Sequence, residues 1–126
     1  MKIKHILLAI WQLPQNILGL VLMLLFKKEI EVNTDIVFVE WKLKRMGISL
    51  GNFILLGEYN LTEKTYKHEF GHTIQSKILG PLYLIVVGLP SITMNIISII
   101  IGGKFRKNYY KRWPESWADK LGGVVR

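Results

Sequence analysis

The sequence predicts an α+β chain: a short antiparallel sheet, a polar central helix and a short late helix, accompanied by two apolar, membrane-associated helical segments. Three observations lead there. Ile6–Phe26 and Ile78–Gly103 are stretches of 21 and 26 residues without a charged side chain, each long enough to cross a bilayer, for which roughly 20 apolar residues suffice. The segment between them opens with β-branched and aromatic residues, the composition of strands. It closes with a polar stretch bounded by helix start and stop signals. At 126 residues the chain supports a single domain.

In chain order, the 6–26 run is interrupted by Gln12, Pro14, Gln15 and Asn16, so it reads as an anchor or as a hairpin of two short helices. Lys2 and Lys4 ahead of an apolar core also fit a secretory signal, while His5 reads as a flank of the anchor. No small-residue cleavage site precedes Lys27, which favours an uncleaved anchor. Strands are expected within 29–60, at Glu29–Leu43, most clearly Ile36–Trp41, and at Ile48–Leu56. Asn60 with Glu63 three positions on has the form of a capping box, opening a helix over 61–79 that stops at Gly80-Pro81. Gly88-Leu89-Pro90-Ser91 interrupts the 78–103 run, predicting an apolar hairpin. Pro114 suits the first turn of a last helix over 113–121.

Half of the residues are hydrophobic and 17 Lys and Arg face nine Asp and Glu, a formal charge of +8, with a mean hydropathy of +0.27. Apolar and basic together point to membrane lipids with anionic headgroups. No nucleic-acid partner is expected, because the one basic stretch with interleaved tyrosines, Lys104–Arg112, is short. With no cysteine, disulfides and thiolate metal sites are excluded.

The central helix carries His68-Glu69-Phe70-Gly71-His72, an HExxH motif. Four residues make slightly more than one turn, so His68 and His72 project from one face and can aim two imidazole nitrogens at one ion. Glu69, offset by one position, can take a proton from water activated there. A catalytic Zn2+ site needs a third protein ligand. Glu115 and Asp119, four apart on the last helix, present both carboxylates on one face: Glu115 can ligate, and Asp119 can accept the free N–H of a ligand imidazole. Gly71 costs helix stability relative to alanine, which is explained if another backbone approaches closely.

HExxH followed by ExxAD resembles the gluzincin metallopeptidases, and its spelling is similar to the membrane zinc endopeptidases of the CAAX-prenyl-protease and heat-shock group. The resemblance covers two short segments. It implies a minimal zincin-like core, zinc held by His68, His72 and Glu115, Glu69 as general base, Asp119 as second-layer partner, and hydrolysis of a small or membrane-proximal peptide or protein substrate. Zincins place a substrate-pairing edge strand before the metal helix. That makes Ile48–Leu56 the expected edge, with Gly51, a candidate bulge, Asn52 and Phe53 as substrate contacts. Tyr83, Tyr109 and Tyr110 are candidate donors to the developing oxyanion. The chain is far shorter than those membrane enzymes, so a membrane partner or second copy is expected to complete the cleft.

A metal shared by the 61–79 helix and the late helix requires the apolar run between them to return to its starting side, or the metal to lie within the membrane. If the first run crosses, all but two of the 17 Lys and Arg lie beside the metal site, which places it on the cytoplasmic face. Two other functions fit the composition: a non-catalytic zinc module that docks to a membrane partner, and a basic membrane-active peptide.

Overall fold

A computed structural model describes residues 3–33, 35–44, 46–103 and 108–126. The fold is α+β, with five α-helices and a four-stranded mixed sheet among the described residues. Lys2 and residues 104–107, with Lys104, Arg106 and Lys107 of the basic stretch, lie outside them.

The first apolar run is two helices, α1 (Ile3–Trp11) and α2 (Leu13–Phe26), bent by 88° at Gln12. Pro14 opens α2, where its missing N–H costs nothing. The polar residues that interrupt the run satisfy the bend: Gln12 Nε2 donates at 2.9 Å to Leu8 O, which also accepts from Gln12 N at 3.1 Å, and Asn16 Nδ2 donates to Ala9 O at 3.0 Å.

Four strands follow: β1 (Lys27–Asn33), β2 (Ile36–Trp41), β3 (Gly47–Leu50) and β4 (Phe53–Gly57), in the order β1-β2-β4-β3. The β1/β2 and β3/β4 pairs are antiparallel, but β2 and β4 run parallel, so the sheet is mixed rather than antiparallel as expected. Ile48–Leu56 is not one strand. It turns back at Gly51-Asn52, where Gly51 adopts φ +62°, a conformation costly for a residue with a Cβ. Gly51 is therefore a hairpin turn and not a bulge. Asn16 holds it, its Oδ1 accepting from Asn52 N at 2.7 Å.

Helices cover both faces of the sheet. Leu22, Met23 and Phe26 of α2 pack on Val39, Trp41 and Leu55, while Tyr66 and Phe70 of α3 (Glu63–Leu79) pack on Ile36, Ile54 and Leu56. The N-cap of α3 is Thr62, whose Oγ1 accepts from Thr65 N at 3.2 Å, so the helix starts two residues later than the Asn60 box implies. At its end, Trp11 Nε1 donates to Lys77 O at 3.0 Å and its ring closes over Gly80.

The second apolar run does not form the expected hairpin at Gly88-Leu89-Pro90. A π-wound segment, Leu84–Gly88, leads directly into α4 (Leu89–Ile101), making one 18-residue helix long and apolar enough to cross a membrane. The wide winding is the physical reason. Leu89 N–H bonds Leu84 O, five residues back, and relaxes the turn against which the Pro90 ring would clash. The chain leaves this helix at Gly102 and Gly103, both at positive φ.

The last helix, α5 (Glu115–Gly122), crosses α3 at backbone contact. A Cβ on Gly71 would stand 1.9 Å from Ala118 O, and one on Gly122 would stand 1.9 Å from Lys67 O. The two glycines set how near Glu115 comes to the histidines. Gly71→Ala is predicted to destabilise the fold by about 1–3 kcal/mol and to weaken metal binding with it. Thermal melts and metal titration of the variant check this; unchanged values for both would show that the crossing tolerates a methyl group.

Candidate metal centre

His68 and His72 lie one turn apart on α3, with Glu115 at the start of α5 directly opposite, and all three are buried. Their potential ligand atoms lie within 4.8 Å of one another. Glu115 Oε2 sits 2.7 Å from His68 Nε2 and 2.9 Å from His72 Nε2.

The outer ring of contacts fixes what each imidazole presents. Gln75 Nε2 donates to Pro114 O at 3.1 Å, so its Oε1 must accept, and His72 Nδ1, 2.6 Å away, carries the hydrogen. Asp119 Oδ1 lies 2.6 Å from His68 Nδ1, and Arg126 bonds the same carboxylate at 2.6 and 3.1 Å. His68 and Arg126 hold Asp119 below its ordinary value although burial opposes them, so Asp119 is ionised and His68 Nδ1 is the donor. Both Nε2 atoms therefore face a third acceptor, the Glu115 carboxylate. Only positive charge at that point, protons or a metal cation, reconciles the three.

The titrations express the same demand. Burial disfavours imidazolium, yet the Asp119 and Glu115 hydrogen bonds raise His68 to about 9. His72 is also raised, burial being outweighed by Glu115 and Glu69. Glu115 is held well below the usual carboxylate range by the two imidazoles, against its burial.

A divalent metal ion fits this donor set. Two imidazole nitrogens with ordered tautomers and one carboxylate oxygen form a three-protein-ligand group of the kind catalytic zinc uses. Ser91 Oγ and Tyr109 OH both donate to Glu115 Oε1, Tyr109 at 3.2 Å, which leaves Oε2 to face the imidazoles. The second observation is Glu69, buried beside His72 with Oε2 lacking any hydrogen-bond partner among the described residues. Burial pushes its carboxyl above the ordinary value, against the pull of His72 and His68.

The structure thus brings together His68, Glu69, His72, Glu115, Asp119 and Tyr109, and sets Tyr110 edge-on to His68 at 4.9 Å beneath the Arg126 guanidinium. It places Gly51, Asn52 and Phe53 elsewhere. Gly51 and Asn52 form the hairpin turn under α2, and Asn52 and Phe53 line a separate apolar hollow with Ala9 and Leu20. Tyr83 OH is committed to Ser49 O at 2.8 Å. Sequence reasoning passed over Gln75, Ser91 and Arg126. The i,i+3 spacing of His72 and Gln75 on a helix was a usable signal; nothing local marked the other two.

Fold and site together define an α+β chain with one apolar helix of membrane-spanning length and a buried His–His–Glu group able to bind a metal ion. No protein-family model matches the chain, and comparison with curated proteins and with solved structures likewise gives no significant match.

Two predictions follow from the outer contacts and the charges. Gln75→Leu removes the acceptor on His72 Nδ1 and is expected to weaken metal affinity about 10–100-fold, measured by competition with a chromophoric chelator; unaltered affinity would deny Gln75 that role. In the metal-free protein, the stabilisation from His68 is complete below its ordinary value of 6.5 and is lost as pH rises toward about 9. That from Glu115 is complete above its ordinary 4.5 and is lost only in acid. Stability of that form should therefore peak near pH 4.5–6.5 and fall toward pH 9, while metal affinity rises over the same upper range as protons cease to compete. Chemical denaturation against pH, with and without metal, reads both slopes.

Proposed function

We propose that this chain is a membrane-associated zinc metallopeptidase of gluzincin type, built on a minimal zincin-like core, that hydrolyses peptide bonds in small or membrane-proximal peptides. One observation carries the proposal: the unpartnered Glu69 oxygen lies in the same cleft as His72, beside the converging His68, His72 and Glu115 ligand atoms.

Zinc bound by His68, His72 and Glu115 supplies Lewis acidity toward water and toward a carbonyl oxygen. Glu69 takes the proton as water attacks the scissile carbonyl carbon, then passes it to the leaving amine nitrogen. Its buried, raised carboxyl suits both halves of that exchange. Asp119 and Gln75 keep both imidazole N–H groups turned away from the metal side. Tyr109, bonded to Glu115, orients that ligand.

An edge for substrate is present, though not where Gly51–Phe53 lie. β3 is an outer strand, and the Ser49 carbonyl that Tyr83 engages points away from β4. Gly47, two residues earlier, turns its N–H and C=O the same way, into the cleft beside Glu69. Extended peptides add to such edges through main-chain hydrogen bonds that demand little of sequence.

Membrane association rests on the 18-residue apolar helix and on exposed Ile85, Leu89, Ile99 and Ile100 along it. Ser91, bonded to Glu115, lies seven residues into that helix, about 10 Å from its start. The centre therefore lies alongside the helix. A metal held jointly by α3 and α5 asks that Lys67 and Lys111 share one side, and on the proposed reading the excess of basic residues makes that side cytoplasmic.

Glu69→Gln should retain one zinc per chain and lose cleavage of a mixed peptide library. Undiminished cleavage would remove Glu69 from the mechanism, and full zinc without turnover in the wild type would make the chain a docking module. Single cysteines at positions 67 and 111 should both react with an impermeant maleimide from the same membrane face; labelling from opposite faces would contradict the topology.

A further inference from the structure

The angle between α1 and α2 holds a hollow of about 370 Å³ that shares no residue with the cleft at the metal centre. Its floor is a row of side chains set side by side across three strands: Val37 pairs with Val32 on β1 and with Phe53 on β4. Its walls are His5 and Ala9, one turn apart on α1, and Leu13, Ile17 and Leu20 along one face of α2. A Cβ on Gly19 would stand 2.8 Å from the Phe53 ring, so α2 rests directly on that floor.

The polar groups around the hollow are engaged within the chain. Asn16 bonds Ala9 O and Asn52 N, while Asn52 donates to Asp35 O at 2.8 Å and accepts from Gln12 at 3.2 Å. The Asp35 carboxylate pairs with Lys77 Nζ at 3.1 Å. What a ligand meets is therefore apolar surface: Leu13, Ile17, Leu20 and Val32 are all exposed there. On the scale by which an apolar cavity of about 150 Å³ takes benzene, the volume suits an alkyl chain of about 12 carbons. That size lies within the range of pockets that hold small ligands.

Two further observations select the occupant. Apolar surface continues beyond the rim, with Leu7, Ile10, Leu18 and Val21 of the same two helices exposed, so the hollow opens among side chains that suit the hydrocarbon of a bilayer. The charge left over is positive. His5 is the remaining polar side chain of the lining, with an N–H in either tautomer, and the exposed Lys4 precedes it. With Asp35 already paired and the whole chain at +8, the complement is an anionic headgroup.

We propose that this hollow takes one acyl chain of an anionic membrane lipid, laid across Val32, Val37 and Phe53 with its headgroup toward Lys4 and His5. The site rests on the membrane association argued above and is independent of the metal centre.

The test uses the full chain in phosphatidylcholine vesicles doped with a phosphatidylglycerol that carries a diazirine midway along one acyl chain. After irradiation, mass spectrometry should find adducts on Val37 and Phe53 as well as on outward residues such as Leu18 and Leu24. Ala9→Phe and Val32→Trp fill the hollow from its wall and from its floor, and thermal melts report that each is folded. Each should lower labelling of Val37 and Phe53 about tenfold and leave labelling of Leu18 and Leu24 unchanged. Adducts confined to the outward residues would overturn the site while membrane association stands; undiminished sheet labelling in either folded variant would overturn it as well. Equal labelling of Val37 and Phe53 by a phosphatidylcholine with the same diazirine would refute the anionic headgroup. Labelling by a diazirine-bearing free fatty acid but not by the phospholipid would refute the membrane source. A chain that neither floats with the vesicles nor takes any adduct sinks membrane association itself, and the site with it.

Discussion

The Glu115 carboxylate, wedged between two imidazoles borne on another helix, is the contact on which the rest of the centre depends. It joins residues 43 and 47 positions apart in the chain, and it does so without exposure to water. Three acceptors meet there, and such a meeting is unstable unless positive charge lies among them. The surrounding structure is arranged to keep the problem in place. Gly71 and Gly122 let α3 and α5 touch at the backbone. Asp119, Gln75, Ser91 and Tyr109 each occupy the atom that would otherwise let a ligand turn away.

The apolar segments also help to build the fold. α2 covers one face of the sheet, and its bend at Gln12 places Gln12 and Gln15 against the end of α3, where Gln15 Nε2 donates to Ser76 Oγ at 2.8 Å and Gly80 O at 2.7 Å. Ser76 Oγ in turn donates to Gln12 Oε1 at 2.6 Å. These groups are fully buried, where an unmade hydrogen bond is expensive, so they fix how α2 sits on α3. The long apolar helix contributes in the same way through Ser91, and Tyr83 does so immediately before it. A small chain thereby obtains a second wall for its cleft from a segment whose outer face is apolar.

Much of this was legible because it depends on spacing within one helix. HExxH at i,i+4 and ExxAD at i,i+4 each define a face before any fold is known, and Gly71 inside the motif signalled a close backbone. What depends on long-range contact was not legible. Strand composition located the sheet but not its parallel β2/β4 pairing, since propensity says nothing of neighbours. Gly51 was assigned to a bulge because a lone glycine in a strand pattern marks either a bulge or a turn, and the Asn16 side chain that settles the matter lies 35 residues upstream. Pro90 suggested a break because π winding, which accommodates it, leaves no trace in composition. Ser91 reaches the centre from a distant segment, and Arg126, though only seven residues past Asp119, carries no motif that marks it.

On the proposed reading, one metal ion couples the helix crossing, the orientation of the late helix and the cleft. X-ray absorption at the zinc edge of the purified chain, compared with His68→Ala and Glu115→Ala, tests this most directly. The account predicts one zinc per chain with two imidazole nitrogens and oxygen neighbours, and loss of that environment in both variants. Zinc retained in an unaltered environment after Glu115→Ala would contradict it.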